Sequence, residues 1–497
     1  MEIKKLVAAM AVASSAVLLS ACAGDEDVDV IIVETGSSSA PATPDNPTVP
    51  SGQTCGTVGV TTGQTISVGD TTLPQCALSG RITQDAQLTS NFVYTLQGFV
   101  TVGDGNETLA AAGDASRVIL TVDAGVQFRS STRGALVISR GSEILMNGTA
   151  DNPIVMSSLD NDFSGSGEWA GLVLQGFSSN NQCPAAPAVC NIPDEAGTGF
   201  HGGAQRGDSS GKISHVIVAE GGFEVAEDEE INGVTFHSVG HGTEVDNLMV
   251  YGNADDGVEF FGGTVNVSNL ILVDNGDESI DWDHGYQGNI QFALVRQGVN
   301  ITDAGDYAIE ADNDGGAFGG TPVSNPTLAN VTFQEITQAE SDELFRLKEG
   351  TGGRFVNVAA ANYLGDRSTP ADASTAECVR IDDNGVGAQT GAPIVLTNFF
   401  LGCGVAGQPI QLDDNGAAAA TAGVFTAVNA ETVTLDAAFA VAAPSPVVSA
   451  VDLNAVSANE VTDFFTDTTY VGAVAPNTAA DDAFYAWAAK VIPAAFQ

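Results

Sequence analysis

Seven tetrapeptides share one alternation of apolar and polar residues: Phe223-Glu224-Val225-Ala226, Val258-Glu259-Phe260-Phe261, Ile280-Asp281-Trp282-Asp283, Ile309-Glu310-Ala311-Asp312, Phe345-Arg346-Leu347-Lys348, Val379-Arg380-Ile381-Asp382 and Ile410-Gln411-Leu412-Asp413. Written as strands, each sends its first and third residues inward and its second and fourth outward. Stacked on one another, they predict an outward column of Glu224, Glu259, Asp281, Glu310, Arg346, Arg380 and Gln411. A second column holds Ala226, Phe261, Asp283, Asp312, Lys348, Asp382 and Asp413. Asp255, Asp277, Asp306 and Asp342 each lie three residues before an inward residue. Carboxylates one rung apart repel and raise one another's pKa unless something neutralises them. Two compensations are open. Arg346, Lys348 and Arg380 can pair with neighbouring carboxylates, leaving a charged face without a ligand. Alternatively, Glu259, Asp281, Asp283, Glu310 and Asp312 hold Ca²⁺, a hard ion served by clustered oxygen ligands; Mg²⁺ rarely accepts an all-protein cage.

Other motifs carry less chemistry. Asp274-Asn275-Gly276, Asp383-Asn384-Gly385 and Asp414-Asn415-Gly416 resemble pieces of calcium loops but lack the closing glutamate, so tight turns are the better reading. Asp312-Asn313-Asp314-Gly315-Gly316 stands apart because it abuts the acidic columns. His237 and His241 sit in HSVGH without the glutamate of a zinc protease, and no P-loop or CxxC is present. His284 follows Asp281 and Asp283 and is a proton acceptor to watch.

The elements that position these columns are short and repeated. SHVIV from Ser214, NGVTF from Asn232, DNLMV from Asp246, SNLIL from Ser268, GNIQF from Gly288, ANVTF from Ala329, VNVAA from Val356 and TNFFL from Thr397 recur at spacings near 20 or 40 residues. Asn247, Asn269, Asn289, Asn330, Asn357 and Asn398 fall in one column and predict a structural amide ladder. A coil of this length cannot bury its apolar face alone, which predicts an all-β, parallel β-helix. Leucine content is too low for a leucine-rich repeat, the period is wrong for a propeller, and glycine and β-branched residues argue against a helical solenoid.

Several segments resemble a known family. SEILMNGTADNPIVMSS, GEWAGLVLQG, EINGVTF, DDGVEFFGGTVNVSNLILV and DWDHGYQGNIQF look like the recurring blocks of large exported proteins and lipoproteins of Gram-negative bacteria with a right-handed, pectin-lyase-like β-helix. The resemblance covers roughly Val118 to Gly298, with an echo in FFTDTTYVGAV. It implies a surface or secreted protein, and similar alphaproteobacterial lipoproteins are candidates for the type II secretion route. Lyases of this architecture use Ca²⁺ on stacked carboxylates with a basic residue. Here that role would fall to Arg346, Lys348 or Arg380, and Arg serves only if its pKa is pulled down.

The beginning of the chain reads as an address. Lys4 and Lys5 precede an apolar stretch too short to span a bilayer comfortably, and Leu19-Ser20-Ala21-Cys22 resembles a lipobox. Cys22 is therefore the expected lipidation site, and residues 1–22 the signal peptide. Ala23 and Gly24 favour forwarding to the outer membrane. Residues 23–52 form an acidic, Pro- and Ser-rich tether, 53–415 the β-helix, and 416–497 an Ala-rich region and cap. The other cysteines fall in three local couples, Cys55 with Cys76, Cys183 with Cys190, and Cys378 with Cys403, as expected for disulfides in an exported chain.

With 62 acidic against 16 basic residues and a net charge of −46, the chain lacks the cations that nucleic acid or anionic lipid headgroups require. Three functions remain: a non-enzymatic outer-membrane lipoprotein with a binding or structural face, a calcium-dependent polysaccharide lyase or other carbohydrate-active β-helix, and an accessory partner of an exported enzyme or receptor.

Overall fold

The computed structural model describes residues 55–497, apart from 56–57, 132, 161, 184–186, 226–229, 299–306, 337–342, 364–377, 382–391, 404–409, 413–423, 430–432, 443–450, 458–459 and 462. Short β-rich segments separated by polar turns wind into a right-handed parallel β-helix, in which two ladders of strands alternate along the chain. The first, here the bent ladder, stacks Gly211–Ala219, Glu244–Tyr251, Asn266–Val273, Asn289–Gln297, Thr327–Glu335, Gly353–Tyr363, Ile394–Cys403 and Val424–Asn429. The charged ladder stacks Gly171–Gln175, Val234–His237, Val258–Phe261, Ile280–Asp283, Tyr307–Ala311, Glu343–Leu347, Val379–Ile381 and Ile410–Leu412. At the N-terminal end, Val60–Val68 turns back antiparallel on Thr71–Ile82.

Between the ladders lies one apolar column per inward position. Phe236 stacks on Phe260 at 5.0 Å and Phe260 on Tyr286 at 4.2 Å, while Leu248, Leu270, Val331 and Val358 close the column from the opposite side. Each coil buries an apolar face that it could not bury alone.

The bent ladder owes its corner to a left-handed residue in mid-strand. His215, Asn247, Asn269, Phe292, Asn330, Asn357 and Asn398 occupy one register position, all with φ between 50° and 61°. Asn tolerates that conformation better than other residues bearing a Cβ, which explains why it recurs there. Two expectations are corrected. GNIQF sits three residues out of the expected register, so Phe292, not Asn289, aligns with Asn269 and Asn330. NGVTF belongs to the charged ladder, because Val234 pairs with Val258. The amide ladder is partial: Asn398 donates to Asn357 at 2.8 Å, whereas Asn330 donates to the carbonyls of Tyr470 and Gly472.

Those last contacts belong to a C-terminal segment that runs along the bent ladder. Gln291 exchanges hydrogen bonds with the backbone of Thr466 at 2.7 and 2.9 Å, and Thr468 bridges Asn330 and Asn357. Beside it, Phe439, Ala473, Tyr485 and Trp487 cover the outward residues Ile217, Met249, Ile271 and Leu294. Arg296 lies over the Phe439 ring at 4.4 Å and donates to the carbonyls of Ala495 and Gln497. Among the described residues no helix is long and apolar enough to cross a membrane.

Cys55 is bonded to Cys76 and Cys183 to Cys190, with Cα atoms 5.8 and 5.9 Å apart. Cys378 is also in a disulfide, but the side chain of Cys403 lies outside the described residues, as does Cys22.

Candidate functional site

The acidic columns of the charged ladder stand where their alternation places them. Glu259 aligns with Asp281, Asp281 with Glu310, Glu310 with Arg346, Arg346 with Arg380, and Arg380 with Gln411. The first member fails. The strand above Val258 is Val234–His237, which puts Thr235 in the place expected for Glu224. Phe223 and Val225 instead pack beside the coil against Ala170, Val173 and Ile231. Their pattern mimics a strand, but coil length varies and the local alternation cannot tell a rung from a loop.

Two aspartates that begin the rungs join the columns. Asp255, Asp256 and Asp277 form one trio, Asp256, Glu259 and Asp281 a second, and Glu278, Asp281 and Glu310 a third; within each, ligand oxygens lie within 4.8 Å of one another. Asp256 and Glu278 were not singled out from the sequence. The signal was present in the doubled acids Asp255-Asp256 and Asp277-Glu278, each a few residues before an acidic strand. Asp306, Asp342, Asp382, Asp413 and the later Asp-Asn-Gly runs lie outside the described residues.

This block divides into two halves. At the C-terminal half the cations close in: Arg346 reaches Glu310 at 3.1 Å, and Lys348 reaches Glu310 at 2.6 Å and Asp312 at 3.3 Å. At the other half, among the described residues, no Arg or Lys pairs with Asp255, Asp256, Glu259, Glu278 or Asp281. Burial and then mutual repulsion raise these carboxyls. Asp255 is pushed to about 7 by burial, Asp277, Glu230 and Glu195. Asp256, Glu259, Glu278 and Asp281 go well above the usual carboxylate range, with burial first and neighbouring carboxylates next. Asp312 reaches about 8, burial outweighing the pull of Lys348. For Lys348 burial works in the opposite direction, but Asp312 and Glu310 hold its ammonium above the normal lysine range. Asp283 is raised by burial and steadied by His284, whose ring nitrogen lies 3.0 Å away.

The donor set fits a calcium ion. All its side-chain ligands are oxygen, and the buried Asn232, which donates to Glu259, leaves its own carbonyl oxygen without a partner beside the middle trio. Asn313 is absorbed by the turn, donating to the carbonyls of Phe318 and Gly320 and accepting from the Ser324 backbone.

A family model of a pectate-lyase-like β-helix domain matches residues 80–386, more than half of the chain. The chain belongs to the pectate-lyase-like β-helix family. Within that domain the matched span contains the whole of both acidic halves and ends just beyond Arg380. No curated protein and no solved structure matches the chain.

The pectate-lyase-like domain also carries a second acidic cluster, which the sequence reading missed: Asp160, Asp162 and the fully buried Glu220. Ser158 donates to Asp160 at 2.5 Å and to Glu220 at 2.9 Å, and the Ser164 amide donates to Glu220 at 3.1 Å. Its signal was the alternate acids of Asp160-Asn161-Asp162-Phe163-Ser164-Gly165. A wall beside the charged ladder is built from the antiparallel pair Val189–Pro193 and Phe200–Gly203, stapled by Cys183–Cys190.

Proposed function

We propose that this protein is an exported lipoprotein, anchored to the outer membrane through Cys22 and displayed at the cell surface, possessing a calcium-dependent carbohydrate-binding face on its charged ladder. Supporting this reading is one observation above the others: three overlapping carboxylate trios in which, among the described residues, no Arg or Lys pairs with Asp255, Asp256, Glu259, Glu278 or Asp281. Ca²⁺ would be held by Asp256, Glu259 and Asp281 in the middle, with Asp255, Asp277, Glu278 and Glu310 on either side. Such an ion would remove the mutual repulsion and present an electrophilic site to the hydroxyl or carboxylate oxygens of a sugar. In a chain of net charge −46, an acidic glycan is approachable only through a bound cation. The lipid anchor rests on the lipobox-like Leu19–Cys22 and the tether on residues 23–52, and the resemblance to exported lipoproteins supports type II secretion as the route of display.

Binding is favoured over lyase chemistry. Arg346 and Lys348 are engaged with Glu310, and a lysine held this firmly protonated is a poor base. Calcium removal by EDTA should lower Tm, and Asp256→Asn with Asp281→Asn should abolish that sensitivity. An unchanged Tm on chelation would refute the calcium-dependent face. Ultraviolet detection of unsaturated sugar ends from uronate polymers would instead restore the lyase.

A further inference from the structure

Three of the five histidines of the chain stand in one ring stack along the column of fourth residues of the charged ladder. Gln175, His237, Phe261 and Asp283 are successive members of that column. His201, from the strand Phe200–Gly203 of the hairpin, stacks on His237 at 4.7 Å between ring centroids. His237 stacks on Phe261 at 4.7 Å, and Phe261 on His284 at 5.8 Å. Both His201 and His237 are sealed, at 2% and 3% exposure.

The surroundings of His201 are unsuited to a charge. Its Nδ1 meets the hydroxyl of Ser238 at 2.9 Å, and its titratable neighbours are the basic groups His237, His284 and Arg140. Arg140 is fixed there, donating to the carbonyls of Gly105 and Cys190 at 2.7 and 2.6 Å, with Asp208 as its carboxylate neighbour. His237 faces one carboxylate, Asp194, and one further imidazole, His284, which is occupied by Asp283. Burial, ahead of His237 and the other cations, drives His201 well below its normal pKa; burial takes His237 to about 4 despite Asp194. Polar groups around the pair are incompletely satisfied, since Gln175 Oε1, Asp194 Oδ1 and His237 Nδ1 are buried without partners.

The hairpin also shapes the acidic groove. Glu195, at its turn, is one of the charges acting on both Asp255 and Glu259. We propose that the hairpin Val189–Gly203 is an acid-released wall: protonation of His201 and His237 places like charges face to face beneath it, so that it swings off the charged ladder while the β-helix stays folded. Because the closed form binds these protons less readily than the open form, closure is fully favoured above the ordinary histidine pKa and weakens as pH falls from there toward about 4. Opening removes Glu195 from the groove and exposes the His237–Phe261 face. The device is independent of the calcium reading, and its test is run without calcium so that the two fail separately.

Hydrogen exchange of the full chain with disulfides intact, compared at about pH 7 and about pH 4.5 after correction for intrinsic rates, reads the opening directly. Below the ordinary histidine pKa, protection of 189–203 should fall about ten-fold per pH unit for each histidine that must be protonated, so up to about a hundred-fold, while that of Val258–Phe261 holds. His201→Phe keeps the ring stack without its charge and should leave the hairpin protected in acid; should that variant misfold, His201→Gln serves the same purpose. Undiminished protection of the wild-type hairpin in acid, or equal acid opening in wild type and the folded variant, would overturn the proposal.

Discussion

The two ladders of one β-helix treat their outer faces in opposite ways. The bent ladder points Ile217, Met249, Ile271 and Leu294 outward and closes them with its own C-terminal segment. Its corner amides Asn330 and Asn357, too, are answered by that segment at Thr468, Tyr470 and Gly472. The charged ladder points carboxylates outward, and among the described residues Arg346 and Lys348 answer them at Glu310 and Asp312. An apolar face can be satisfied by any well-packed cover, whereas stacked carboxylates need an opposite charge or a proton. The covered face is packed by the chain itself, and the charged face is the one on which the proposed calcium site lies.

The largest effect should come from unsealing the closed face. Trp487, 4% exposed and edge-on to His215 at 5.2 Å, is a main piece of that cover. Trp487→Ala should cost about 3–5 kcal/mol in denaturant unfolding, whereas a small loss would mean that the segment is only loosely held. A smaller effect separates the faces by pH. Asp255 and Asp312, at about 7 and about 8 in the folded state, take up protons more readily than in the unfolded chain. Their contribution is fully present below the unfolded carboxylate pKa and is lost as pH rises through the folded values. In EDTA, stability should consequently rise on acidification from about pH 8 to about pH 5, and saturating calcium should flatten this profile. Global stabilisation by acid, read by melting, thus runs opposite to the local release of the hairpin, read by exchange. The smallest effect tests the corner. Asn269→Ala should cost about 1 kcal/mol through its left-handed φ, and Asn269→Gly should restore most of it; equal losses in both would assign the effect to the lost amide contacts with Asp246 instead.

Much of the charged ladder was legible because each strand is short and its inside and outside differ in kind. The alternation from Val258 through Leu412 fixes register to the residue, and with it the neighbours of Asp281 and Glu310. Where the same alternation is carried by a loop, at Phe223–Ala226, nothing local marks the difference. The bent ladder misled at GNIQF because Asn289 imitates the corner amides, while the true corner residue is Phe292, whose side chain gives no hint of left-handed backbone. Asp256 and Glu278 escaped notice because they precede their strands and reach the columns only once the turns are formed. The histidine stack was illegible for another reason: His201 and His237 are joined by a hairpin that folds across coils, a relation with no period in the sequence.

The grip of Arg296 on the carbonyl of Ala495, 199 residues further along, has a consequence for how the molecule comes into being. Coils made early can stack with their immediate predecessors as they emerge, a sequence of local events. The apolar outer face of the bent ladder, however, stays wet until the last residues arrive, and contacts of such sequence separation form slowly. Assembly should accordingly end in a distinct slow phase, and during it the rows of Ile217, Met249, Ile271 and Leu294 are the surface by which one unfinished chain can stick to another.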